Sequence, residues 1–213
     1  MRVTKAAIRP GLKKLLREIP NASLELQSAL ILRALEPTLE DHTKVACYMD
    51  MERGEVRTMP IISHLFAVGK QVYLPRCTNT RISGHAVLRQ GVESHPHLTF
   101  HQMLSLAQVQ ALKPQGKYQL REPALEEPHP LPPELDVVMV PGVAFSLANG
   151  ARMGHGAGFY DDFIQRTLHT HGKRPLLIGL ALKEQIVPEV PTEAHDHHMD
   201  CIICGDGSVH WFR

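Results

Sequence analysis

The chain has 213 residues, of which 43% are hydrophobic, and its formal net charge is +1 at pH 7. This length suits one large domain better than two small ones, so we expect a single domain over residues 1–213. The nearly balanced charge gives no general attraction to nucleic acid, and no apolar run is long enough to span a bilayer.

The first residues lack the apolar core of a secretory signal, although a mitochondrial presequence stays open. Only Cys201 and Cys204 of the four cysteines lie close together, which is not the pattern of a disulfide framework. These features fit a reducing, intracellular environment. We therefore expect a cytoplasmic protein, and we expect it to be a monomer.

The first predicted elements are two helices. Apolar residues follow a helical period over 4–18, and Pro10-Gly11 interrupts it, so the helix either begins near Pro10 or is longer and kinked. A second helix is predicted over 23–36, with Ser23 as its N-cap.

The remaining segments alternate between strand and helix patterns. In chain order they are a strand over 45–49, a helix over 58–68, strands over 71–75 and 86–88, a helix over 98–112, a proline-rich exposed loop over 122–134, a strand over 135–140, a helix over 160–168, strands over 175–182 and 201–203, and a closing element over 209–212. This alternation predicts an α/β fold with a mainly parallel sheet.

The strongest functional signal is the loop between the strand over 135–140 and the helix over 160–168. Glycines let a backbone approach a ligand closely, and a helix N-terminus favours anions. The loop lacks the ending of a Walker A motif and the spacing of a dinucleotide fingerprint. It predicts a phosphate-binding loop, with a tight connection that binds nothing as the alternative. Its four glycines and two aspartates are Gly150, Gly154, Gly156, Gly158, Asp161 and Asp162.

The two aspartates allow two interpretations. At the start of a helix, Asp161 and Asp162 complement the positive end of the helix dipole. One of them is alternatively a ligand of Mg²⁺, which takes carboxylate and phosphate oxygens together.

Three other segments carry weaker signals. Lys5 and Arg9 lie four residues apart and share one helix face, which fits either a binding site or a solvated basic surface.

The stretch 195–204 contains residue types that bind zinc, but on a strand Cys201 and Cys204 would face opposite sides, so buried thiols are the better interpretation. Residues 183–185 follow a strand end and suit either a ligand contact or the surface. No Ser-His-Asp arrangement is recognisable.

The loop and the strand before it resemble the signature of the 5-formyltetrahydrofolate cyclo-ligase family. The matching stretches are Val140-Pro141-Gly142-Val143-Ala144-Phe145 and Gly150-x-Arg152-Met153-Gly154-x-Gly156-x-Gly158-Phe159-Tyr160-Asp161. Supporting features follow in the family's order along nearly the whole chain: Lys5-x-x-x-Arg9, Glu55, Leu74-Pro75-Arg76, Leu120-Arg121-Glu122-Pro123, Ala181-Leu182-Lys183-Glu184-Gln185, Val190-Pro191 and Asp200. The resemblance implies a Rossmann-like three-layer α/β sandwich, similar to phosphosugar isomerases and CoA transferases.

The resemblance also implies a reaction and its residues. The reaction converts 5-formyltetrahydrofolate and ATP to 5,10-methenyltetrahydrofolate, ADP and phosphate with Mg²⁺, through a phosphorylated formyl group that N10 attacks. The implied catalytic residues are Arg152 and Tyr160, and the implied Mg²⁺ ligands are Asp161 and Asp200. The implied ATP contacts are Lys5, Arg9, Arg152, Met153, Gly154, His155, Gly156, Ala157, Gly158, Phe159 and Tyr160. The implied folate contacts are Met49, Glu55, His155, Gly156, Ala157, Gly158 and Phe159.

Three positions depart from the family pattern. Ser146 stands where members often have Asp, Ala157 stands where some have Lys, and Pro10-Gly11 follows Arg9 directly. A non-catalytic folate- or nucleotide-binding relative is one alternative. A phosphosugar isomerase or CoA-transferase-like enzyme on the same fold is another, because a fold does not determine its chemistry.

Overall fold

The structure is a computed structural model that describes residues 4–116, 119–124, 126 and 128–212. Its helices are α1 (Lys5–Arg17), α2 (Asn21–Leu35), α3 (Met59–Ala67), α4 (Thr80–Ser83), α5 (Leu106–Gln110) and α6 (Phe159–His171). Its strands are β1 (Lys44–Ala46), β2 (Gln71–Asn79), β3 (Pro96–Met103), β4 (Pro114–Gln115), β5 (Leu120–Arg121), β6 (Val137–Val140), β7 (Ala144–Phe145), β8 (Arg152–Met153), β9 (Leu176–Ala181), β10 (Cys201–Cys204) and β11 (Val209–Trp211). Short 3-10 turns occupy Pro37–Leu39 and Lys183–Gln185.

Seven strands form one mixed sheet in the order β11-β10-β9-β6-β1-β2-β3. The five central strands, β10, β9, β6, β1 and β2, are parallel to one another. The edge strands β11 and β3 are antiparallel to their neighbours. All four residues of β6 are buried, as expected for a parallel strand covered on both faces. The prediction of an α/β fold with a mainly parallel sheet is confirmed.

Helices cover both faces of the sheet. Val45 and its neighbour Ala46 point to opposite faces and belong to different core clusters, because side chains alternate along a strand. The cluster around Val45 contains apolar residues of α2, α3 and α5, and the cluster around Ala46 contains Phe163 and Ile164 of α6.

The first two helices differ from the predicted ones at their ends. Helix α1 is the longer of the two alternatives and contains Pro10 in its interior. The Thr4 hydroxyl caps it by accepting a hydrogen bond from the Ala7 N–H. The prediction of Ser23 as an N-cap is wrong, because α2 already begins at Asn21 and Ser23 lies in its first turn.

The middle of the chain departs most from the prediction. No strand forms over 86–88, and the predicted helix over 98–112 is divided: 98–103 belong to strand β3, and only 106–110 form a helix, α5. The eight residues of β3 pair in antiparallel register with β2, which is also longer than predicted. This long-range pairing overrides the helical spacing of the apolar residues. The loop over 122–134 is not fully exposed, since Glu122 and Pro123 are buried.

The remaining strands and the last helix lie close to their predicted positions. Cys201 and Cys204 belong to the core clusters on opposite faces of the sheet, as their spacing on a strand predicted. In the described part of the chain, no helix is long and apolar enough to cross a membrane.

His97 is a buried polar residue near the start of β3. Its Nε2 lies 2.7 Å from the Ser83 hydroxyl, and its ring stacks on that of His85. Burial lowers the pKa of His97 to about 4, and the nearby Arg166 charge adds to the effect. His97 is therefore neutral in the folded protein near neutral pH.

We predict that His97 makes the fold sensitive to acid. The unfolded chain takes up a proton near pH 6.5 and the folded chain only near pH 4. The free energy of unfolding is therefore highest above pH 6.5 with respect to this group. It falls by roughly 3 kcal/mol as the pH decreases from 6.5 toward 4. Urea unfolding of His97→Gln should show a shallower loss of unfolding free energy over this range. Equal slopes in both proteins would contradict this prediction.

Candidate active site

The principal cavity, of about 420 Å³, opens at the carboxyl ends of β1 and β6. Strand β1 lies between β2 and β6. The chain therefore adds β2 on one side of β1 first and β6 on the other side later. Such a switch point in a parallel sheet leaves a crevice at the strand ends, where ligands bind in α/β proteins. Tyr48 and Met49 after β1 and Pro141 after β6 line this cavity.

The glycine-rich loop forms one wall of the cavity. Antiparallel pairing of β7 with β8 holds its base, and its end leads directly into α6. Gly156 and Gly158 have positive φ angles of 114° and 71°, which favour glycine. Within the described part of the chain, the backbone N–H groups of residues 155–159 have no hydrogen-bond partner. A run of free N–H groups at a helix N-terminus is suited to bind an anion.

Helix α1 brings its cations to the same wall. The Arg9 Nε–H donates to the Gly154 carbonyl at 2.9 Å, and the Lys13 ammonium donates to the His155 carbonyl at 3.5 Å. Lys5 forms an ion pair with Asp196. Lys5 and Arg9 therefore share a helix face that lines the cavity. This placement favours the interpretation as a binding site over that as a solvated basic surface.

Arg152 lies at the base of the loop, with its side chain only 4% exposed. It donates to Asp161 at 2.8 Å and to the Pro141 carbonyl at 3.3 Å, and its carbon Cζ lies 5.9 Å from the centre of the Tyr160 ring. Its buried Nε has no hydrogen-bond partner among the described residues. The guanidinium therefore carries a buried donor without a partner at a residue that lines the cavity.

Asp161 is held in its charged form. Burial alone would raise its pKa, but the Arg152 guanidinium and the N–H of His197 outweigh burial and lower the pKa of this carboxyl. The phenol of Tyr160 behaves in the opposite way, because burial raises its pKa well above the usual value. Tyr160 therefore stays protonated at neutral pH, and its hydroxyl is suited to donate a hydrogen bond rather than to act as a base.

Carboxylates are found on the other walls of the cavity. Glu55 is buried, accepts from the Met51 N–H at 2.8 Å and lies 3.2 Å from the His155 Nε2. Glu122 is also buried, and it accepts from the Cys77 N–H at 3.1 Å. Burial raises the pKa of Glu122. The cavity thus combines a cationic wall with carboxylates suited to N–H groups of a ligand.

All but two of the predicted site residues line the cavity. Met153 is fully buried among apolar side chains beneath the loop, so it supports the loop from behind. Asp200 lies at the amino-terminal ends of β9 and β10, where it accepts from Arg174 at 2.8 Å and from the Leu177 N–H at 3.0 Å. The structure therefore does not bring Asp200 together with Asp161 as a pair of metal ligands.

Residues 183–185 do not line the cavity. The Gln185 side chain is buried and donates to the Gly142 carbonyl at 2.5 Å, so this turn holds the chain that leaves β6. Neither of the two interpretations of this segment, ligand contact or surface, describes Gln185.

Several cavity residues were not singled out from the sequence. Tyr48 precedes the predicted Met49 at the end of a buried strand, a position where ligand contacts are common. Asp196 lies in the stretch considered for zinc. The contact of Arg89 with the loop had no recognisable signal, because Arg89 lies in an irregular segment distant in sequence.

The family comparison agrees with this geometry. The model of the 5-formyltetrahydrofolate cyclo-ligase family matches residues 1–205. The chain belongs to this family. It is 50% identical to the 5-formyltetrahydrofolate cyclo-ligase of Saccharomyces cerevisiae over 99% of both chains. It is 30% identical to that of Escherichia coli K12, over 87% of this chain and 90% of the relative.

A solved structure supports the fold. The NMR structure of 5,10-methenyltetrahydrofolate synthetase from Aquifex aeolicus superposes with a TM-score of 0.72 at 23% identity, covering 98% of this chain and 93% of the other. At this level of identity the likeness concerns the cyclo-ligase fold alone.

Gly150 anchors the loop of this cyclo-ligase family member, and its substitution tests the packing at the base of the loop. Its φ angle is +72°, and a Cβ there would lie 2.6 Å from the Met199 carbonyl oxygen and 2.9 Å from the Phe212 ring. We expect Gly150→Ala to lower the free energy of unfolding by about 3 kcal/mol.

Gly69→Ala is the matched control. Gly69 has a similar φ of +74°, but no atom lies within 4 Å of its added Cβ. Only the backbone strain of about 1 kcal/mol should appear in this variant. Equal losses in the two variants, measured by urea unfolding, would show that the close approach at Gly150 does not matter.

Proposed function

We propose that this protein converts 5-formyltetrahydrofolate and ATP to 5,10-methenyltetrahydrofolate, ADP and phosphate, with Mg²⁺. The observation that carries the proposal is that one cavity contains both an anion-binding loop with cations and buried carboxylates beside apolar side chains. The first environment suits a triphosphate, and the second suits a neutral heterocycle that carries N–H groups. Membership of the cyclo-ligase family supplies the two substrates that fit these environments.

The nucleotide half of the cavity consists of the loop, α1 and Arg152. Free N–H groups over 155–159 are suited to phosphate oxygens, and Arg9 lies against the loop. Arg152 lines the cavity beside the loop, so its guanidinium places a positive charge near the position proposed for the transferred phosphate. Phosphoryl transfer depends mainly on such positioning and charge neutralisation, which supports a catalytic role for Arg152.

The chemistry of the loop residues fits a magnesium nucleotide. Mg²⁺ is commonly held by one or two carboxylates together with substrate phosphates. Asp161 lies at the cavity and remains ionised, whereas the carboxylate of Asp200 is engaged elsewhere. We therefore assign Asp161 alone as the protein ligand from the predicted pair. When bound, Mg²⁺ neutralises charge on the phosphates.

The folate half of the cavity lies beside Met49, Glu55 and Phe159. The Glu55 carboxylate can accept hydrogen bonds from a pterin ring, while Met49 and Phe159 offer apolar contacts to its faces. His155 joins the two halves, because its backbone belongs to the loop and its ring contacts Glu55.

The reaction balances in two steps. The formyl oxygen on N5 attacks the γ-phosphorus, the bond to the bridging oxygen breaks, and ADP leaves. N10 then attacks the formyl carbon, phosphate leaves with the former formyl oxygen, and N10 loses its proton. Protonated Tyr160 is suited to donate a hydrogen bond to an oxygen that gains negative charge in these steps.

The same proposal includes the finer aspects of the fold and its setting. We propose a single domain of the Rossmann-like three-layer type shared with phosphosugar isomerases and CoA transferases. We also propose a cytoplasmic monomer, with a mitochondrial fraction still open.

A direct assay tests the proposed activity. Purified protein with 5-formyltetrahydrofolate should produce the absorbance of methenyltetrahydrofolate only when ATP and Mg²⁺ are both present. Binding of ATP and folate without any absorbance change in folded protein would favour the alternative of a non-catalytic relative.

A pair of aspartate variants tests the metal assignment. Asp161→Asn should lower turnover by about 100-fold and raise the Mg²⁺ concentration required, because it removes a charged ligand of the magnesium nucleotide. Asp200→Asn should reduce stability but leave the Mg²⁺ requirement unchanged. A raised Mg²⁺ requirement in Asp200→Asn, or near-normal turnover in Asp161→Asn, would contradict the assignment.

A further inference from the structure

Arg89 contacts the glycine-rich loop without lining the cavity. Its guanidinium donates to the Ala157 carbonyl at 2.9 Å and to the Gly158 carbonyl at 3.2 Å. Ala157 and Gly158 line the cavity, whereas Arg89 does not. A Cβ added to Gly158 would lie 2.7 Å from the Arg89 Nη2, so the absence of a side chain at Gly158 makes this approach possible.

These two hydrogen bonds act on two peptide groups. Among the described residues, the Ala157 carbonyl has no other donor, whereas the Gly158 carbonyl also accepts from the Asp162 N–H at 3.1 Å in the first turn of α6. All described peptide bonds are trans, so each C=O points opposite to the N–H of the next residue. When Arg89 holds the carbonyls of Ala157 and Gly158, the N–H groups of Gly158 and Phe159 point away from Arg89. Both N–H groups lack a partner within the described residues, and they lie at the start of α6.

A buried polar network holds the segment that carries Arg89. The Leu88 N–H donates to His95 Nε2 at 3.0 Å. On its other side, His95 Nδ1 lies 3.3 Å from the Asp162 carboxylate, which also accepts from Arg166 Nε at 2.7 Å. His95, Asp162 and Arg166 are all buried. The network connects α6 to the residue beside Arg89, and Arg89 in turn contacts the two residues that precede α6.

We propose that Arg89 is a positioning residue for the nucleotide loop: it holds the Ala157 and Gly158 carbonyls so that the following N–H groups face the phosphates of ATP. Arg89 touches neither substrate, and the inference rests on the proposed use of this loop for ATP. The buried His95–Asp162–Arg166 network keeps the Arg89 backbone in place. Without Arg89, the peptide group between Ala157 and Gly158 can rotate, and the Gly158 N–H no longer shares the direction of the Phe159 N–H, which the first turn of α6 still holds.

Calorimetric binding of magnesium ATP is the first test, because it does not depend on turnover. Arg89→Ala should weaken binding about tenfold, the effect of losing hydrogen bonds from a charged donor that orient the loop. Arg89→Lys should restore part of the affinity, since an ammonium can donate to one of the carbonyls. Should Arg89→Ala fail to fold, Arg89→Gln keeps a donor without the charge and allows the same comparison.

Arg81→Ala is the matched control. Arg81 lies in the same part of the chain and forms only an exposed ion pair with Glu93, so this variant removes the same charge without touching the loop. Its affinity for magnesium ATP should remain at the wild-type value.

Kinetics then separates positioning from general damage. In Arg89→Ala the KM for ATP should rise more than the KM for 5-formyltetrahydrofolate, with an unchanged melting temperature. Wild-type affinity for ATP in Arg89→Ala, or an equal loss in Arg81→Ala, would overturn the inference. A wild-type protein that binds ATP without turnover would instead count against the proposed function, and the binding comparison would still decide the role of Arg89.

Discussion

The parallel pairing of β1 with both β2 and β6 is the constraint on which the site depends. It makes β1 the point from which the sheet grows in two directions, and it places the ends of β1 and β6 side by side. The residues that follow these strands must then diverge, and the space between them is the cavity. The chain after β6 supplies the loop with free N–H groups, and the chain after β1 supplies Met49 and Glu55. A triphosphate and a heterocycle can thus meet at the strand ends of one sheet.

Electrostatics divides this cavity into two parts. The cations of α1 and Arg152 lie with the glycine-rich loop, whereas Glu55 and Glu122 lie across from them. Burial acts differently on the groups in between. Arg152 and the His197 N–H outweigh the effect of burial on Asp161, so the pKa of this carboxyl is lowered. At Tyr160 burial outweighs the effect of Arg152, so the pKa of the phenol is raised. Neighbouring residues at the start of α6 therefore have opposite chemical characters, one an anion and the other a hydrogen-bond donor.

Local patterns of the sequence were sufficient for much of the fold and of the site. Buried apolar runs located β6, β9 and β10, and the glycines before α6 located the cavity wall that we propose for phosphate binding. Errors arose where contacts between distant residues decide the outcome. Strand β3 forms because β2 pairs with it over eight residues, a partner that its own spacing does not reveal. Asp200 was matched by its place in a motif, and its role as a Mg²⁺ ligand stays a prediction, since its carboxylate contacts Arg174 and the Leu177 N–H at the amino-terminal ends of β9 and β10.

Helix α1 contributes to the cavity without belonging to the sheet. Its apolar residues Ile8, Leu12 and Leu16 form a separate small cluster, and its cations reach Asp196 and the carbonyls of the loop. Local opening of α1 would therefore open the cavity while the seven-stranded sheet stays folded. A ligand that contacts Lys5 and Arg9 adds its binding free energy to the closed form. Nucleotide occupancy and protection of the α1 amides from hydrogen exchange should consequently rise together.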